Sequence, residues 1–98
     1  MGKKQEQRLK ALALVMRALS HETRLKILNL LNKNPRTWTE MQIELKINSK
    51  SLRDHLRILC NKALVKKCES FGFEITNAGK MLLEISMKDI LEVIELED

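Results

Sequence analysis

A chain of 98 residues is long enough for one compact core and too short for a second independent domain. Hydrophobic residues make up 44% and charged residues 32%, a globular balance rather than a disordered one, and no apolar run approaches the ~20 residues of a bilayer-spanning helix. The formal charge of +5 is unevenly spread: residues 1–83 hold seventeen of the eighteen Lys and Arg for a net of +10, whereas 84–98 carry −5 through Glu84, Asp89, Glu92, Glu95, Glu97 and Asp98 against Lys88.

A basic body attracts polyanions and speeds their encounter, which makes nucleic acid the first partner to consider, against plain lysine solubility as the alternative. The basic start Met1-Gly2-Lys3-Lys4 runs into Gln5 and Glu6 rather than an apolar segment, so no secretory signal is expected and the cytoplasm is the expected compartment. Two cysteines, Cys60 and Cys68, cannot make the disulfide framework of a secreted domain and read as small hydrophobes.

From Gln5 to Leu19 the residues Leu9, Leu12, Met16 and Leu19 recur at helical spacing, and Ala11, Ala13, Leu14, Val15 and Ala18 add a second apolar flank. Ser20 interrupts, Glu22 suits a helix N-terminus, and Leu25, Ile27, Leu28 and Leu31 predict a second helix ending near Asn34, ahead of Pro35. Arg36 to Trp38 reads as a short extended piece. Thr39 and Gln42 then have capping-box spacing for a short helix to about Ile47, with Met41 and Leu45 inward. Asn48 or Ser49 caps a fourth helix running to Lys62, in which Leu52, Leu56 and Leu59 form an i, i+4, i+7 stripe and Lys50, Ser51, Arg53, Asp54 and Arg57 lie elsewhere on the surface.

Past Lys62, the segments Leu64–Cys68 and Phe73–Thr76 flank a glycine-containing turn and predict a β-hairpin. Thr76 or Asn77 opens a last helix to about Ile94. Its Leu82, Leu83, Ile85, Ile90, Leu91, Val93 and Ile94 exceed what one narrow stripe needs. Both terminal helices therefore carry surplus apolar surface, and a symmetric subunit interface involving Leu9, Leu12, Met16, Leu83, Ile90, Leu91 and Ile94 is the expected way to bury it.

The resulting order is helix, helix, short strand, helix, helix, hairpin, helix, a mainly α fold with a small β-hairpin. Two successive helices, Thr39–Ile47 and Ser49–Lys62, joined by a tight polar turn, have the arithmetic of a helix-turn-helix, whose second helix enters the DNA major groove. Seven basic residues lie between Lys46 and Lys67, against Asp54 and Glu69 as the acids through residue 69. Such density suits a phosphate-facing side.

The stretches Ala18-Leu19-Ser20-His21-Glu22-Thr23-Arg24-Leu25-Lys26-Ile27-Leu28 and Ser49-Lys50-Ser51-Leu52-Arg53-Asp54-His55-Leu56-Arg57-Ile58-Leu59 resemble the ArsR-type winged-helix family of bacterial and archaeal regulators. Ala63-Leu64-Val65 is similar to the Gly-Leu-Val with which that family begins its wing, and Ile75-Thr76-Asn77-Ala78-Gly79 to the segment that leaves it. The resemblance implies a winged helix-turn-helix that dimerises through its terminal helices, binds double-stranded DNA and regulates transcription, as a repressor. Ser49, Lys50, Ser51, Arg53, His55 and Arg57 would contact DNA, with Lys66 and Lys67 on the wing; His55 would either contact DNA or hold a backbone group.

Two departures stand out. Asp54 occupies a position that is usually basic in the family, so it would repel phosphate unless it pairs with Arg53 or Arg57 or accepts from a cytosine amino group. The wing is short and carries Glu69 and Phe71 at its tip.

Many relatives bind thiophilic metals through paired cysteines on the helix before the recognition helix, or through His and acidic ligands on the last helix. Here Glu40–Lys46 contains no cysteine and the last helix no histidine, so no metal and no cofactor is expected; redox sensing by Cys60 and Cys68 stays an alternative. No glycine-rich phosphate loop or nucleophile motif points to an enzyme. The rival reading is a winged-helix module that grips a protein through the same surface.

Overall fold

The computed structural model describes residues 2–69 and 71–85. Its elements run α1 (Lys3–Leu19), α2 (Glu22–Lys33), α3 (Trp38–Leu45), α4 (Ser49–Asn61), β1 (Val65–Lys67), β2 (Phe73–Ile75) and α5 (Asn77–Ile85). The expected helix to Ile94 is described as far as Ile85. Its remainder, with Ile90, Leu91 and Ile94, lies outside the described residues.

The α1–α2 corner is made by side chains. Ser20 Oγ donates to the Arg17 carbonyl at 2.7 Å, and His21 caps α2, its Nδ1 accepting from Thr23 N at 3.2 Å. Arg36–Trp38 is not a strand: Arg36 makes one antiparallel bridge to Phe73, with N···O distances of 3.1 and 2.8 Å, and Trp38 already opens α3. The capping box is two residues earlier than the Thr39–Gln42 spacing suggests. Thr37 Oγ1 accepts from Glu40 N at 3.2 Å, and the Glu40 carboxylate accepts from Thr37 N at 3.0 Å. A carboxylate is a stronger acceptor than an amide and complements the helix dipole. This earlier start also lets Trp38 pack beside Met41 and Leu45 on the core.

The core gathers around α2, which packs against α1, α4, α5 and β2. Ile27, Leu28 and Leu31 of α2, Met41 of α3, and Leu52, Leu56 and Leu59 of α4 are buried, closed over by Leu64, Val65, Ile75 and Leu83. The stripe foreseen on α4 is thus the face that seats this helix on the core. By contrast, Ala18 is the buried residue of α1, while Leu9, Leu12 and Met16 stay 45%, 49% and 58% exposed.

The hairpin pairs Val65 with Ile75, Lys66 with Glu74 and Lys67 with Phe73. Two glycines make its packing possible. Gly72 has φ +94°, and a Cβ there would collide with the Arg36 carbonyl; at Gly79 one would collide with the Leu64 carbonyl and the Ile75 side chain. Thr76 closes the junction, donating from Oγ1 to the Ala63 carbonyl at 2.7 Å and accepting from Gly79 N at 3.1 Å to cap α5.

Candidate nucleic-acid interface

The turn between α3 and α4 is built by Lys46, which takes a left-handed conformation with φ 54° and ψ 47°, and by Asn48, whose side chain accepts from Ser51 N at 2.8 Å. One left-handed residue reverses the chain without a long loop, and the Asn cap starts α4 cleanly. Gln42 Nε2 donates to Ser49 Oγ at 2.8 Å, so the first residue of α4 is tied to α3. Its hydroxyl is thereby partly committed inside the protein.

Beyond that tie, Lys50, Arg53, Asp54 and Arg57 are exposed, and Ser51 is half-buried. Burial of Leu52, Leu56 and Leu59 forces these side chains outward, since residues at i, i+3, i+4 and i+7 share one helix face. Among the described residues the ion pairs are Lys26–Glu22, Arg36–Glu44 and Lys66–Glu74. None involves Lys50, Arg53 or Arg57, and Asp54 does not pair with either arginine. Two arginines one turn apart thus carry guanidinium groups with no ion-pair partner among the described residues.

The wing cations are unequal. Lys66 Nζ sits 3.2 Å from Glu74 Oε1 across the hairpin, which offsets its charge. Lys67 is exposed and free of an ion pair among the described residues. It helps line an open pocket of about 280 Å³ with Arg53 and Arg57.

His55 points back toward α2. Arg24 Nε donates to His55 Nδ1 at 3.2 Å while Arg24 Nη1 donates to the Ala18 carbonyl at 3.2 Å. The His21 ring lies 4.4 Å from the His55 ring, centroid to centroid. Arg24 thus pins α4 to the last turn of α1, and the His55 Nδ1 is engaged by the Arg24 side chain, with Arg24 rather than His55 holding the backbone carbonyl. Burial, then the neighbouring His21 and Arg24, push the His55 imidazole below its ordinary value, Asp54 partly opposing them. An Nδ1 that accepts from a guanidinium must be unprotonated, so geometry and electrostatics agree.

Both cysteines are half-buried and free. Burial pushes the Cys60 thiol up; partial burial and the Glu74 carboxylate do the same at Cys68. Protonated thiols are poor nucleophiles and poor metal ligands. Among the described residues, no three His, Cys, Asp or Glu side chains converge on a common point.

Residues 21–67, from the cap of α2 to the last residue of β1, match the family of bacterial regulatory proteins of the arsR type. Over that segment the chain is similar to the arsR family. Solved structures share the fold beyond that segment. The transcriptional repressor BigR from Xylella fastidiosa superposes with a TM-score of 0.72 at 19% identity, over 86% of this chain and 88% of that one. Reduced HlyU from Vibrio cholerae gives 0.72 at 22%, over 87% and 94%. Mb0332 from Mycobacterium bovis, described as a homodimeric winged helix-turn-helix DNA-binding domain of a possible ArsR-family regulator, gives 0.76 at 21%, over 99% and 89%. At these identities the likeness is one of fold. No curated protein matches the chain by sequence.

The frame is a winged helix-turn-helix, with α3 and α4 as the paired helices and β1–β2 as the wing. Of the residues expected at DNA, Lys50, Arg53 and Arg57 share the outward face of α4, Ser49 and Ser51 sit at its N-terminus, and Lys67 stands across the pocket. His55 faces the other way. Trp38, Cys60 and Phe73, which no local sequence signal links to this face, line the same pocket as the two arginines.

Proposed function

We propose that the chain is a sequence-specific double-stranded DNA-binding regulator of transcription, a repressor that works in the cytoplasm as a homodimer, with residues 1–98 forming one winged-helix domain. The observation that carries this is the outward face of α4, where Lys50, Arg53 and Arg57 are exposed without acidic partners among the described residues. A guanidinium that is pre-positioned on a rigid helix can bond bidentately to guanine O6 and N7 or clamp a phosphate. Backbone N–H groups of the α4 N-terminus, with Lys50 and Ser51, suit a phosphate beside it. The match of residues 21–67 to a family of regulatory proteins favours binding over catalysis.

Dimerisation is supported by the exposed Leu9, Leu12 and Met16 of α1 and by the homodimeric state of Mb0332. Leu83 contributes little to that interface: it is 3% exposed and serves the core, whereas Met81 and Ile85 on the same helix are 61% and 48% exposed. Two recognition helices would then meet successive major grooves about 34 Å apart on a palindromic site. Lys66, paired to Glu74, adds less than Lys67.

Alanine at both Arg53 and Arg57 is expected to weaken binding to an operator duplex by about 2–6 kcal/mol for each half-site, at about 1–3 kcal/mol per base contact. Footprinting on DNA upstream of the chain's own reading frame identifies the duplex, and a fluorescence anisotropy titration measures the loss. Unchanged affinity would contradict the role given to this face.

A further inference from the structure

The pocket between α4 and the wing combines features that phosphate binding alone does not require. Arg53 and Arg57, four residues apart on one face of α4, rim it together with Lys67 at the end of β1, while Trp38, Cys60 and Phe73 supply apolar and aromatic walls. Lys67 and Phe73 are register partners in the hairpin, so a cation and a ring face the arginines from the opposite side. None of the three cations has an ion-pair partner among the described residues. The Cys60 thiol is held protonated by burial and adds no negative charge.

A phosphate would satisfy the rim and leave the aromatic walls wet; an uncharged hydrocarbon would cover the walls and leave three cations unmatched. A ligand with one ring and one carboxylate meets both demands, following the pattern of apolar lining with few charged anchors seen in small-molecule sites. Size agrees. A cavity of about 150 Å³ accommodates benzene, and the pocket's volume of about 280 Å³ leaves space for a short acidic arm.

The geometry points to a binding site for a single-ring aromatic carboxylate at the junction of α3, α4 and the wing, whose occupant takes Arg53 and Arg57 away from DNA. The site thus makes the chain an effector-responsive regulator. The competition with DNA rests on the function proposed above, but the binding site does not.

Trp38 is the chain's one tryptophan, so its emission reports directly on the pocket. The test titrates the DNA-free protein with sodium phenylacetate, with acetate as the charge without the ring and benzyl alcohol as the ring without the charge, at constant ionic strength. A saturable change is expected, half-complete on the order of 0.1–1 mM for a ligand of this size. Acetate and benzyl alcohol should each bind at least about tenfold more weakly, and Arg57→Gln should weaken phenylacetate about fivefold, since each loses one of the two recognition elements. Amide chemical-shift changes in the wild-type protein should centre on Trp38, Arg57, Cys60, Lys67 and Phe73.

No saturable response, an equal response to benzyl alcohol, or shifts centred elsewhere would overturn the site. With operator duplex present, phenylacetate at ten times its half-saturating concentration should raise the apparent DNA dissociation constant at least about elevenfold, the value simple competition at one pocket requires. Undiminished DNA binding at that concentration would overturn the regulatory coupling. A protein that binds phenylacetate but no duplex would instead contradict the DNA-binding reading and leave the pocket assignment standing.

Discussion

His55 illustrates how one side chain on α4 is engaged within the fold. Its Nδ1 accepts from Arg24 Nε, and Arg24 in turn reaches the Ala18 carbonyl, so protonating the imidazole would set a donor against a guanidinium. The folded chain keeps this ring neutral to lower pH than the unfolded chain does, and it therefore binds fewer protons in that window. Stability is full above the ordinary His value of 6.5 and is lost as pH falls through the depressed folded value. Thermal unfolding followed by circular dichroism should show Tm dropping between about pH 7.5 and about pH 5.5, a range that brackets the His value. His55→Gln, whose amide oxygen can still accept from Arg24, should show a smaller drop. Equal drops would mean that the Arg24–His55 contact contributes nothing to the acid response.

At the scale of elements, the joint between α4 and the wing is where backbone conformation matters most. Ala63 holds φ 58°, a left-handed conformation that costs a residue with a Cβ about 1–2 kcal/mol. Glycine removes that cost but gives back about 0.5–1 kcal/mol through its more disordered unfolded state. Ala63→Gly should accordingly stabilise the fold by about 0.5–1 kcal/mol, read as a higher urea midpoint at unchanged slope. A lower midpoint would show that the Ala63 methyl makes packing contacts worth more than the strain. The family's preference for glycine at this position, noted from Ala63-Leu64-Val65, has its physical reason in that φ.

The same elements show which features were legible in the amino-acid order. The α4 stripe Leu52, Leu56, Leu59 could be read because its signal is local, and Pro35 marked the end of α2 to within a residue. α3 starts two residues before the Thr39–Gln42 spacing because Thr37 and Thr39 both offer caps; packing of Trp38 on the core, a tertiary effect, decides between them. The pocket had no local signature at all. It joins Trp38, Arg57 and Phe73, residues from three elements that meet through the fold, as does the Arg24–His55 bond across 31 positions.

For the whole molecule, charge and apolar surface divide the labour. The α4 and wing face carries cations that lack acidic partners among the described residues, and α1 carries Leu9, Leu12, Leu14 and Met16 at roughly half exposure. Replacing Leu12 with Glu places a charge on the proposed subunit interface without touching the core, because Leu12 is 49% exposed in the single chain. Sedimentation equilibrium should find the wild type dimeric and Leu12→Glu largely monomeric, with thermal unfolding of the variant losing its dependence on concentration. A variant that remains dimeric would exclude this face of α1 from the interface.

The central claim is that an exposed cationic helix, presented by each protomer, seats in duplex DNA. The most direct test is the affinity for the footprinted duplex measured across a series of salt concentrations. Four to eight phosphate contacts per dimer predict a log–log slope of about −4 to −7. Duplex binding that is undetectable at low salt, or a slope near zero, would contradict it.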